Sequence, residues 1–151
     1  MYTAKDVAKW FINELHPEPL KLQKLLYLAQ GFSFAFNDEA LFEDDMEAWV
    51  HGPVVKSVYE EYKNYKYSPI TINYEIIDFN DDALSILNYV KNNFSKFDSK
   101  YLENISHNQE PWIMSREGLD PDERSDKTIS KLSIANYFTN YINQPDLEDW
   151  N

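Results

Sequence analysis

Residues 19–36, PLKLQKLLYLAQGFSFAF, decide the fold. Pro19 suits the first helical position, where its missing N–H is one that no helix would use. Leu22, Leu25, Leu26, Ala29, Phe32 and Phe36 then recur at three- and four-residue spacing and line one face, with Lys21, Lys24 and Gln30 elsewhere. This is the most hydrophobic helical pattern in the chain, and it predicts the central helix of a mainly α fold. Gly31 inside it costs about 1 kcal/mol relative to alanine, which suits either the close approach of a neighbouring backbone or a tolerated glycine near a helix end.

Upstream, Val7, Trp10, Phe11 and Leu15 form an amphipathic helix that must end near His16, because Pro17 and Pro19 cannot continue it. Downstream lies EAWVHGPVVKSVYEEYK, residues 47–63. Pro53 predicts another helix start, with Gly52 held outside the helical region. Val55, Val58, Tyr59 and Tyr62 would then form the buried stripe, and Lys56, Glu60, Glu61 and Lys63 the wet side. Trp49 and His51 would sit at the helix mouth, where unpaired N–H groups can receive a polar or anionic group of a partner beside an aromatic anchor. The plainer alternative packs Trp49 under the loop and uses His51 to cap it.

Glu39, Glu43, Asp44, Asp45 and Glu47 lead into that stretch and read as a solvated loop, with a patch for a basic partner as the alternative. Over residues 70–76, Ile70, Ile72, Tyr74 and Ile76 alternate with Thr71, Asn73 and Glu75, the period of a half-buried strand. Its partner is sought at residues 48–50 or 128–130, so at most a small β-ribbon is expected on the helical body. Asn80 or Asp81 caps a long helix with Leu84, Leu87, Val90 and Phe94 inward. Asp98 or Ser99 precedes a shorter helix carrying Tyr101, Leu102 and Ile105. Pro111 opens a further one that stops by Gly118, and Leu132, Ala135, Phe138 and Ile142 define the last. The expectation is a compact domain of six to seven helices over residues 1–144, followed by a fraying acidic tail, 145–151, in which Trp150 is a loose end or a docking peptide.

Length and a hydrophobic share of 43% permit one core without staples. Cysteine is absent, which removes disulfides, thiol nucleophiles and Cys-based zinc sites. Lys5, Asp6 and Lys9 interrupt any leader-like pattern at Met1, and no apolar run is long enough to span a bilayer, so a cytoplasmic protein without a membrane partner is expected. A net charge of -12 repels a phosphate backbone and disfavours nucleic acid, while it would steer a basic protein partner inward.

The three glycines, Gly31, Gly52 and Gly118, are isolated, so phosphate-cradling loops are missing. No serine carries a nucleophile-elbow signature. His16, His51 and His107 would need carboxylates to hold a metal. His107 and Glu110 are correctly spaced on a helix, but Pro111 breaks it. A metal-assisted hydrolase centred on His51, His107 and Glu110 is the enzymatic alternative to a binding protein, and no cofactor is otherwise expected. Arg116 and Glu117 read as an exposed pair at a helix end, or Arg116 as a pin for a loop carboxylate.

Three strings, LKLQKLLYLAQGF at 20–32, EAWVHGPVV at 47–55 and ISHNQEPW at 105–112, resemble in order and spacing the Panacea domain, the family of phage-associated GepA-like and SocA-like proteins. The resemblance runs from the first helix to about Gly118. It implies a mainly helical, non-enzymatic antitoxin of a prokaryotic or phage toxin–antitoxin pair that neutralises its cognate toxin by direct contact. In the SocA-like branch it implies an adaptor that delivers the toxin to an ATP-dependent protease. The matching positions are Lys24, Leu25, Tyr27 and Gln30, then Trp49, His51, Gly52 and Pro53, then His107, Pro111 and Trp112. Leu25 reads as core. Tyr27, Trp49, His51, Gly52, Pro53 and Trp112 are the expected partner-binding residues, as a shared polar and aromatic surface or an internal clasp, with Lys24, Gln30, His107 and Arg116 in support.

Overall fold

Helix α2 (Pro19–Asn37) is the axis of the computed structural model, which describes residues 1–143. Every residue of α2 from Leu22 to Ser33 is buried, because α1 (Ala4–Leu15), α4 (Asp81–Phe94), α5 (Ser99–His107) and α7 (Lys131–Ile142) pack around it. A helix enclosed on all sides has no wet face, so Lys24 and Gln30 are interior, each 1% exposed, rather than outside the core stripe. Phe36, at the helix end, is by contrast half-exposed. The glycine at 31 admits the Phe138 ring of α7, which occupies the space a methyl group would need. The close approach is made by a side chain, not by backbone.

The ends of these helices follow local chemistry. Thr3 and Asp6 form a capping box on α1, and His16 closes it in the left-handed region just before Pro17. Asn80 caps α4 through Ala83 N at 2.8 Å, and Asp98 caps α5 through Tyr101 N at 2.8 Å. The inward face of α4 is close to that expected, whereas α5 buries Glu103 and Ser106 beside Leu102 and leaves Tyr101 and Ile105 half-buried. Helix α7 is rotated from its expected face: Ile134 and Phe138 are buried, whereas Leu132 is exposed.

A three-stranded antiparallel sheet lies against this body in the order β2 (Gly52–Val54), β1 (Met46–Trp49), β3 (Thr128–Ile129). Pro53 therefore belongs to a strand, and α3 (Lys56–Tyr62) starts three residues after it. The sheet tolerates proline here because β2 is an edge strand and Pro53 faces Ala48, whose own N–H points the other way, to Lys127 O at 2.8 Å. Val55 is the residue before α3, and Gln23 satisfies its backbone, accepting from Val55 N at 2.8 Å and donating to Val55 O at 3.2 Å. Val55, Val58 and Tyr62 are buried as the spacing predicts, and Tyr59 is at the surface.

Residues 69–80 are extended but not part of the sheet. Their alternation is real, with Ile70, Ile72, Tyr74 and Ile76 inward, yet the backbone bonds to a helix instead of a strand. Asn13 of α1 donates to Tyr74 O at 2.7 Å and accepts from Tyr74 N at 2.8 Å, and Ile70 N donates to Pro17 O at 3.0 Å. Both segments considered as partners, near 48 and near 128, are strands, and they pair with each other. Helix α6 (Glu110–Ser115) opens with Pro111 as expected, and Gly118 lies beyond it at φ +83°. The fraying tail and Trp150 lie outside the described residues. No described helix is long and apolar enough to cross a membrane.

Candidate functional site

A tight turn leaves backbone carbonyls that the two strands it joins cannot pair, and buried carbonyls need donors. At the β1–β2 turn these come from side chains far apart in sequence. Arg116 Nη1 donates to Ala48 O at 2.9 Å and Trp112 Nε1 to Trp49 O at 2.8 Å. The His107 ring lies beside the Val50 backbone, and Lys24 Nζ donates to His51 O. Ala48, Trp49 and His51 are thus fastened by the residue that ends α6, by α6 and by α2. Gly52 completes the arrangement. Its φ of +116° suits glycine, and a Cβ there would fall on the Lys24 amine.

The fasteners support one another. The Trp112 ring stacks on His107 at 4.1 Å and 18°, and the Arg116 guanidinium lies 5.1 Å from its centroid. Arg116 also donates through Nη2 to Asp120 O at 3.2 Å and to Glu123 O, tying the following loop to the same point. At 5% exposed it binds carbonyls alone, which corrects both the exposed Arg116–Glu117 pair and the carboxylate pin. An arginine reads as a surface charge in sequence, but its planar fork is the side chain best able to satisfy several carbonyls at once.

Burial pushes the Lys24 amine down from 10.5 to about 8, against the opposing pull of the Glu103 carboxylate. Glu103 is itself 6% exposed and meets His51 Nδ1 at 3.3 Å and Lys100 Nζ at 3.7 Å. Desolvation also lowers His107, with Glu103 opposing, so its neutral ring is favoured. Tyr27, buried at 1% exposed, donates from its hydroxyl to Gln109 Oε1 at 2.7 Å; Nε2 of Gln109 and of His107 are buried with no partner among the described residues.

The outer side of the turn is aromatic and acidic. Trp49 Nε1 donates to Glu47 Oε1 at 2.8 Å, and the Trp49 ring meets Tyr59 at 4.8 Å and 64°. The His51 side chain is 69% exposed. Trp49 and His51 thus flank a hairpin turn, not a helix mouth, because the helix they were expected to precede begins further on.

Of the expected site residues, the turn gathers Lys24, Trp49, His51, Gly52, Pro53, His107, Trp112 and Arg116, and Tyr27 reaches it through Gln109. Gln30 stands apart, holding Leu41 N at 2.8 Å and Phe42 O at 2.9 Å where the acidic loop begins. In that loop Asp44 accepts from Ala4 N at 2.8 Å and Asp45 pairs with Lys131 at 2.6 Å, so part of its charge is engaged within the fold. Glu103, Gln109 and Gln23 escaped sequence reasoning. Gln109 lies inside one of the three strings, and Glu103 stands four residues before His107 on the same helix, which is the signal that could have found it. His16 lies elsewhere, bonded to Ile70 O at 3.0 Å, and among the described residues no three histidines or carboxylates are grouped to hold a metal ion.

The fold and this site define a helical domain that uses its buried polar groups to fasten a surface hairpin. Residues 22–113 match the family model described as "Antitoxin SocA-like, Panacea domain". The chain belongs to this family, and the matched span encloses Lys24, the hairpin, His107 and Trp112. Comparison with curated proteins and with solved structures gives no match.

Proposed function

We propose that the chain is a cytoplasmic antitoxin that neutralises a toxin encoded beside it by binding it, with no bond made or broken. Membership of the antitoxin-like family supports this reading, and the fastened hairpin is the observation that carries it. Three side-chain bonds hold the turn before any partner arrives, so little ordering entropy remains to oppose association. Trp49 and His51 are the contacts, with Tyr59 and Glu47 beside them. Lys24, Gly52, Pro53, His107, Trp112 and Arg116 position the turn, and Tyr27 and Gln30 brace the helix behind it. A net charge of -12 speeds encounter with a basic toxin, while desolvated aromatics hold it.

Co-expression tests this. The adjacent gene product should be toxic alone and harmless with this chain, and Trp49→Ala should lose the rescue while its circular dichroism is unchanged. A neighbour that is harmless alone, or rescue unaffected by Trp49→Ala, contradicts the reading. An unchanged toxin half-life indicates sequestration; a shortened one indicates delivery to an ATP-dependent protease.

A further inference from the structure

Helix α6 and the loop after it carry a feature the hairpin does not use. Trp112, Ile113, Met114, Arg116, Leu119 and Pro121 line an open groove of about 480 Å³. Ile113 and Met114 are 47% and 59% exposed, an apolar pair facing water on a helix of only six residues. Glu117 also lines the groove, and the exposed charge along α6 and the loop after it is mostly acidic, with Glu110, Asp120, Asp122, Glu123 and Asp126 all exposed. Arg116 is buried and committed to three carbonyls, which leaves Arg124 and Lys127 as the exposed cations against six carboxylates. An apolar floor with acidic neighbours repels an acidic ligand and complements a segment that pairs an apolar face with basic side chains.

We propose that this groove docks a basic amphipathic segment of a partner polypeptide, its apolar side chains on Ile113 and Met114 and its lysines or arginines against the acidic neighbours. That the partner is the toxin rests on the antitoxin reading; the binding chemistry does not. Trp112 is both groove floor and hairpin fastener, and the Arg116 guanidinium beside it is turned to carbonyls, so the floor is held in place by the same bonds that hold the turn.

The test uses the intact chain and a labelled synthetic helix with a leucine face and a lysine face, compared with its leucine–glutamate counterpart. Fluorescence anisotropy should show binding of the lysine peptide only, about tenfold weaker in Met114→Glu and about threefold weaker in Glu117→Lys. Both positions are exposed, so the fold should be retained. Glu75→Lys, an exposed carboxylate outside the groove, should leave the affinity unchanged. No binding of the lysine peptide, equal affinity for Met114→Glu and the parent, or equal weakening by Glu75→Lys and Glu117→Lys would overturn the proposal. In the co-expression assay, loss of rescue by folded Met114→Glu supports the groove as the toxin's seat. Retained rescue overturns that role and leaves the antitoxin reading standing, whereas a harmless neighbour fails that reading and leaves the peptide arm to judge the groove.

Discussion

Two extended segments lie on the same helical body and are held in different ways. Residues 69–80 are fixed by alternating apolar side chains and by the neutral amide of Asn13, with the Tyr62 and Tyr74 hydroxyls meeting at 2.8 Å. Residues 48–53 are fixed by a buried lysine, an arginine and a tryptophan, with a histidine stacked on the tryptophan. Neutral fastening suffices to hold a chain in place. Burying Lys24 and Arg116 costs desolvation, and the arrangement makes sense where one backbone geometry must be kept at a surface turn. The first segment is therefore packing, and the second is a surface turn held in one geometry by buried polar groups.

The largest expected effect comes from cutting the second kind of fastening at its centre. Trp112→Ala removes the indole stacked on His107 and the bond to Trp49 O, and should cost about 3 to 5 kcal/mol in denaturant unfolding, with amide exchange of residues 48–53 accelerated first. A smaller loss spread evenly over the chain would make the hairpin no more special than residues 69–80.

Gly52→Ala should cost about 3 kcal/mol, since an L-residue is strained at φ +116° and its methyl displaces the Lys24 amine. The same substitution at Gly118, where a Cβ meets no atom within 4 Å, should cost less, from its φ of +83° alone. Equal thermal shifts for the two would remove Lys24 from the account.

The charged fastener should also show itself in pH dependence. Lys24 titrates at about 8 in the fold and near 10.5 when unfolded, so between those values the unfolded chain holds the extra proton and raising the pH stabilises the fold. The gain should be about 2 kcal/mol from pH 8 to pH 10. Above pH 10 it is opposed by Tyr27 and Tyr62, whose hydroxyls burial pushes well up. In Lys24→Met the rise should shrink to the smaller part due to Lys21, which burial also lowers. An unchanged slope in that variant would show the amine to be solvated.

The smallest effect belongs to the neutral segment. Asn13→Ala loses two bonds of about 1 kcal/mol each at most, and exchange should quicken over residues 69–80 while the hairpin stays protected.

The contrast also explains what could be read from the chain. Helices announced themselves through period and caps: Pro19, Asn80, Asp98 and Pro111 each mark an observed start, because capping is decided within a few residues. Residues 70–76 carry the correct inward positions under the wrong name, since alternation reports which side chains are buried and not what the backbone bonds to. Pro53 misled because its fixed φ fits an edge strand as well as a helix start. The strings that mark the family contained most of the fasteners, but a lysine and an arginine give no local sign that they are buried. That depends on α2 being enclosed on every side and on α6 ending beneath the hairpin, which are properties of the assembled chain.

The most direct test of binding without chemistry is titration of the purified toxin with this chain in the absence of any protease. Toxin activity should fall linearly to a fixed molar equivalence and return when the complex is dissociated. Complete and lasting inactivation of excess toxin by a trace of the chain would contradict the account.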